Sequence, residues 1–264
     1  MTGPTPPFLA EVASGTPLLF VSAHLDDAVL SCGGLMAHLA DRHPLVVVTV
    51  FSEAGEPPHT RAARSFLRQC GADDAASLFA ARRAEDLAVL DGLGARAVHL
   101  GEVDALFRRR ELPAGLERVA TAIPELVHRY PTYRFDIALG RVSGGDRELV
   151  RAATARVRAL ADEADARTVF CPVGVGRHVD HLITRRIGEA LGPRVIHYSD
   201  FPYDLTHPTD PAFLASRGAD RHAWADGTTD RERLVRGYVT QVDALFRDGT
   251  IPGTPEVYYP ASAR

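Results

Sequence analysis

The sequence predicts an α/β fold: a doubly wound, mostly parallel sheet with helices on both faces, plus a small C-terminal subdomain. Three observations carry this. Short apolar runs alternate with helical patterns across about 180 residues. The run 45–51 (LVVVTVF) is apolar or β-branched throughout, as a strand buried on both faces requires. Residues with chemistry follow directly on such runs, at the strand ends where parallel sheets bind ligands.

In order, residues 18–22 form the first strand. Gly33-Gly34 opens a helix over 35–41, and 45–51 is the second strand. That β-α-β unit forces a parallel pair with a right-handed crossover. Residues 52–76 break the rhythm with Gly55, Pro57, Pro58 and Gly71. Only 61–70 reads as helix there, and the segment suits either a plain surface loop or a rim over the site. Residues 77–93 are an amphipathic helix, with Leu78, Phe79, Ala81, Leu87 and Leu90 near 3.6-residue spacing and Gly92 and Gly94 as its stop. Residues 95–100 are a third strand, 116–128 a helix, 135–139 a fourth strand and 146–164 a long helix. The fifth strand (167–173), a helix (178–191) and the sixth strand (194–198) follow. Then come a proline-rich loop, a short strand (221–225), a helix over 230–246 with an Asp cap, and a last strand (256–259). The expected organisation is one domain: a flexible arm over 1–16, a core over 17–200, and a C-terminal segment over 201–264 that packs on the core and shapes the pocket.

The chain has 264 residues, 45% hydrophobic and 24% charged, which suits a soluble unit with a substantial core. A net charge of −4 gives no reason to expect nucleic acid or an anionic membrane as partner. All 30 basic residues are arginine, which reads as coding bias. Cys32, Cys70 and Cys171 are odd in number and widely spaced, as free thiols of a reducing compartment are. No C-x-x-C pair offers a cysteine zinc site. Residues 1–16 lack a secretory signal's basic start, and no apolar run reaches the ~18 residues of a membrane span. The expected location is cytoplasmic, and a homo-oligomer is left open.

The stretch Ala23-His24-Leu25-Asp26-Asp27 places one imidazole and two carboxylates at the end of the first strand. Such a set is too polar to bury without a partner such as a metal ion. Downstream, His178 and His181 lie three apart on one helical face, again after an apolar run. If the two stretches meet, His24 and Asp27 with either His181 or His178 supply three ligands and leave a position for water. A remaining carboxylate can take a proton from that water, and a remaining imidazole can stabilise an oxyanion or protonate a leaving amine. The plainer alternatives are a helix cap by Asp26 or Asp27 and histidines exposed at a helix start.

These residues resemble motifs of the PIG-L/LmbE-like zinc-dependent N-deacetylases. Residues 23–27 resemble the family's AHPDD signature, and His178-Val179-Asp180-His181 its HxDH. Arg82 to Asp86 looks like its R-x-x-E helix, and 100–104 like its LG…D turn. YSDFPY at 198–203 is similar to its Y-x-D/E-x-P-Y loop, and 238–241 to its Y-x-S-Q. The resemblance implies a Rossmann-like fold and removal of N-acetyl or N-acyl groups from amino sugars or sugar-bearing secondary metabolites. It implies one Zn²⁺, or another divalent metal, on His24, Asp27 and His181. It implies Asp26 as general base on the zinc-bound water, and His178 as oxyanion stabiliser oriented by Asp180. Arg82 and Asp104 match sugar-contacting positions, and Tyr203 is a further candidate for the substrate. Leu25 departs from the motif's proline, and Ala28 from a common Glu. An amidase for conjugates of a sugar-based thiol shares this pattern. A nucleotide-binding protein lacks its G-x-G-x-x-G here, and a non-catalytic binding module is the remaining alternative.

Several residues have simpler roles in view. Gly33-Gly34 reads as close packing, Arg82 as a partner of Asp86, and Asp104 as a turn residue. Arg108-Arg109-Arg110 reads as a solvated face or an anion contact, and Trp224 as core or rim.

Overall fold

The computed structural model describes residues 5–111, 121–192 and 194–261. The first strand, β1 (Leu18–Ser22), is central because its alternating side chains serve two cores. Leu18 and Phe20 join one apolar cluster, and Leu19 and Val21 the other. Around it lie β2 (Leu45–Glu53), β3 (Arg96–Val103), β4 (Thr168–Pro172), β5 (Val195–Tyr198), β6 (His222–Trp224) and β7 (Glu256–Pro260). The sheet order is β3-β2-β1-β4-β5-β7-β6. Strands β1 to β5 are parallel, while β7 runs antiparallel to β5, and β6 to β7. Chain direction across the sheet switches between β1 and β4, which opens a crevice at their carboxyl ends.

Helices cover both faces, as the sequence predicts. On one lie α1 (Asp27–Leu39) and α8 (Thr228–Val235), on the other α5 (Arg147–Glu163) and α6 (Val179–Leu191). A third apolar cluster joins α2 (Arg61–Gln69) and α3 (Ala75–Asp91) to Leu25, Phe107, Ile137 and Val179. Two further helices are α7 (Pro211–Arg217) and α9 (Val239–Leu245), and α4 is a single turn (Pro124–Val127). No helix among the described residues is long and apolar enough to cross a membrane. The segment before β1 is not wholly a loose arm: Leu9 is buried in the core.

Three elements differ from the sequence expectation. Residues 135–139 are not a strand; Tyr133–Ile137 is a π-helical turn. Its cause is local, since the Asp136 carboxylate accepts from both Thr132 N–H and Thr132 Oγ1, and Thr132 Oγ1 accepts from Phe135 N–H. The helix expected over 230–246 is two, α8 and α9, broken at 236–238. There Tyr238 donates to Asp86 at 2.8 Å, and a Cβ on Gly237 would lie 2.4 Å from Val89. Gly227, not Asp230, occupies the cap position of α8. Of the helix expected over 116–128, residues 116–120 lie outside the described residues; 121–122 are helical, and after a break at Ile123 the single turn α4 follows.

The first helix also begins earlier than expected, at Asp27, so Gly33 and Gly34 lie inside it. Close packing is their reason. Gly34 N–H donates to Glu256 Oε1 at 2.6 Å, and a Cβ there would meet Gly227 O at 2.7 Å. Gly34→Ala is therefore expected to destabilise by about 1–3 kcal/mol in urea denaturation, the overpacking clash exceeding alanine's helix preference. Unchanged stability would show that α1 and α8 can part without cost.

Candidate functional site

Both motif stretches end at the switch point. After β1 the chain turns through Ala23–Asp26, braced by Ser22, whose hydroxyl donates to His24 O and accepts from Ala28 N–H. Asp26 takes the cap position of α1, yet its side chain makes no cap hydrogen bond. The helix-cap alternative thus leaves its carboxylate unexplained. After β4, a turn over Val175–Arg177 delivers His178 to the start of α6. Gly176 is required in that turn: its φ is +76°, and a Cβ would lie 2.7 Å from the Tyr203 ring.

The imidazoles of His24 and His181 come together, their ring centroids 5.2 Å apart. His24 Nδ1 lies 3.1 Å and His181 Nε2 3.3 Å from one atom, Asp27 Oδ2. Those spacings match the ~3.3 Å edges of a tetrahedron with ~2.0 Å metal–ligand bonds. His181 Nε2 is buried and has no hydrogen-bond partner among the described residues. Its Nδ1 is held by Asp200 Oδ1 at 2.6 Å, which fixes the ring and turns Nε2 inward. Asp200 is itself anchored by the N–H groups of Gly174 and Val175. The residues present therefore fit a divalent ion. His24, His178 and Asp180 form a second group of suitable spacing. Asp180, however, is committed elsewhere: Oδ1 to Arg108 Nη2 at 2.5 Å, Oδ2 to Ala105 N–H at 2.8 Å.

Electrostatics separate the two adjacent carboxylates. Burial pushes Asp26 up to about 6, against the pull of Arg82. Burial acts on Asp27 too, but His181 and His24 hold it well below the usual carboxylate range. His178 is driven well below its ordinary pKa by burial and by His24 nearby, so it is neutral. Its Nδ1 accepts from Asp180 N–H, which leaves the proton on Nε2. Asp180 reaches His178 through this backbone contact, while its carboxylate faces His24 Nε2 at 3.3 Å and Arg108.

The centre floors a cavity of about 500 Å³ lined by His24, Asp26, Asp27, Arg82, Asp104, His178 and Tyr203, among others. A model of the family described as PIG-L: GlcNAc-PI de-N-acetylase matches residues 19–191, more than half of the chain. The chain belongs to the PIG-L family. It is 31% identical over 192 residues to the 2'-N-acetylparomamine deacetylase of Streptomyces fradiae, covering 70% of this chain and 57% of that protein. A 2'-N-acetylparomamine deacetylase of Niallia circulans is 28% identical, over 72% of this chain and 68% of that one. Among solved structures, a deacetylase of teicoplanin biosynthesis superposes with a TM-score of 0.69 at 27% identity, covering 93% and 97% of the two chains. A structure described as the zinc-inhibited form of teicoplanin deacetylase Orf2 gives 0.70 at 25%, over 93% and 97%.

Within this PIG-L protein, Arg82 does not pair with Asp86. Its Nη2 lies 3.6 Å from Asp26 Oδ1, and Asp86 instead binds His99 and Tyr238. Asp104 lies 3.4 Å from His24 Nε2. Arg108 is neither a solvated face nor a contact for an anionic substrate group. It is buried between Asp180 and Asp146, its guanidinium 4.6 Å from the Phe51 ring centroid. Asp146 also binds Arg129 and Tyr130. Trp224 is core. The sequence reading missed Asp146, Asp200 and Tyr133, which lines the cavity, as site residues, and missed that Arg108 is buried. Asp200 was within reach, as the acid of YSDFPY directly after a strand; the others carry no local signal.

Proposed function

We propose that this chain is a metal-dependent hydrolase that removes an N-acetyl group from an amino sugar carried by a small secondary metabolite. The observation that carries this is the buried Nε2 of His181, without a hydrogen-bond partner among the described residues, which shares Asp27 Oδ2 with His24 Nδ1. Two imidazoles and a carboxylate suit Zn²⁺, and other divalent first-row ions bind the same donors. When bound, such an ion supplies Lewis acidity toward an amide carbonyl and lowers the pKa of a coordinated water to about 7.

The chain's own residues supply the rest. Asp26, buried at the cavity floor and raised to about 6, takes the proton of the attacking water. Neutral His178 donates its Nε2–H toward the amide oxygen as negative charge gathers there. Asp180 is fixed by Arg108 and holds His24 through Nε2. Arg82 and Asp104 face the space a sugar would fill, and Tyr203 offers a ring beside it. The deacetylases of N-acetylparomamine and teicoplanin biosynthesis among its relatives support an amino-sugar substrate.

Elemental analysis of purified protein, with amine release from a panel of N-acetyl amino sugars, tests this. Removing the metal with dipicolinate is expected to lower amine release by at least about a hundredfold, and Zn²⁺ to restore it. Turnover retained by protein verified as metal-free would end the metal-dependent reading.

A further inference from the structure

The cavity changes character between floor and mouth. Its acidic, basic and imidazole residues are all buried at the floor: His24, Asp26, Asp27, Arg82, Asp104 and His178. Toward the mouth the half-buried and exposed lining is uncharged, with Ala62, Ser65, Phe66, Gln69, Tyr133 and Leu245. Every residue that α2 or α9 contributes to the lining is uncharged. The arginines of α2, at positions 61, 64 and 68, are exposed and outside the lining. Tyr133 and Leu245 are 45% and 38% exposed, so apolar surface stands open at the mouth.

We infer that the N-acetylated sugar is presented on an apolar aglycone, which packs between α2, α9 and the turn carrying Tyr133. This rests on the deacetylase reading and narrows its substrate class. A polycationic aminocyclitol needs carboxylates beyond the sugar being hydrolysed, because ammonium groups desolvated against apolar walls are costly unless paired. Among the described lining residues the only carboxylates are Asp26, Asp27 and Asp104, all beside the reacting centre. An aryl or alkyl aglycone needs no such partner and covers the open apolar wall. Each methylene fully buried favours transfer from water by about fourfold.

The test compares kcat/KM of the metal-loaded protein for hexyl and methyl 2-acetamido-2-deoxyglucosides, below any micelle concentration, and for 2'-N-acetylparomamine. The hexyl glycoside is expected to exceed the methyl glycoside by more than about tenfold, as partial burial of its five extra methylenes allows. Phe66→Ala and Leu245→Ser are each expected to lower that hexyl-to-methyl ratio by at least about threefold. Leu245 is partly exposed, so its variant keeps the test open should Phe66→Ala misfold. A smaller ratio, a ratio unmoved in both variants, or faster turnover of N-acetylparomamine than of the hexyl glycoside overturns the inference. Amine release from none of the three, with metal confirmed in place, means the deacetylase reading itself has failed.

Discussion

Asp26→Asn is expected to keep its fold and its metal while amine release falls at least about a hundredfold, the usual scale for a general base. The substitution is nearly isosteric. Asp26 is not one of the three residues around Asp27 Oδ2, and its side chain caps no helix N–H. What asparagine cannot do is accept the water's proton. The loss therefore belongs in kcat, with bound-metal content near that of the parent protein. Substrate binding changes less, since Arg82 still faces the cavity. Single-turnover amine release beside elemental analysis separates these quantities. Near-parental turnover would remove Asp26 from the mechanism, and loss of the bound metal would show that its charge serves the metal instead.

Arg108→Met is expected to cost about 3–5 kcal/mol of stability, the scale for breaking a buried ion pair from one side. Arg108 bridges Asp180 and Asp146, both almost wholly buried. Without it, among the described residues, the Asp180 carboxylate keeps only Ala105 N–H and His24, and Asp146 keeps Arg129 and Tyr130. Methionine restores the packing against Phe51 but leaves two carboxylates short of a cation. Urea denaturation of Arg108→Met, Asp146→Asn and the double variant measures the coupling. The second substitution is expected to cost less in the methionine background than alone. A loss below about 1 kcal/mol for Arg108→Met would mean that water already screens the pair.

Much of this architecture is legible along the chain. The run 45–51 announces a strand buried on both faces, and β2 is buried over all but its last residue. The amphipathic pattern from Ser77 places α3 to within about two residues, the usual uncertainty of helix ends. The errors fall where a local pattern was short or a distant contact overrode it. The apolar run 135–139 has strand composition, but hydrogen bonds donated by Thr132 to the Asp136 carboxylate coil it first. Residues 230–246 keep a helical pattern, but Asp86, Glu85 and Val89 of α3 each engage residues 237–240 and break it. Arg108 reads as surface because three successive arginines normally are. Only the turn after β3 carries the first of them inward.

The sequence by itself determined the alternation of strands and helices and put His24, Asp26, Asp27, His178 and His181 just beyond strand ends. Periodicity and composition encode which residues are buried, and burial is a local property of each segment. Tertiary structure alone decided that His181 rather than His178 shares Asp27 with His24, and that Asp180 answers to Arg108. It also lined the outer cavity with uncharged residues of α2 and α9. Those outcomes depend on contacts such as His24 to Asp180, 156 residues apart in sequence, which strand order creates and no local pattern records.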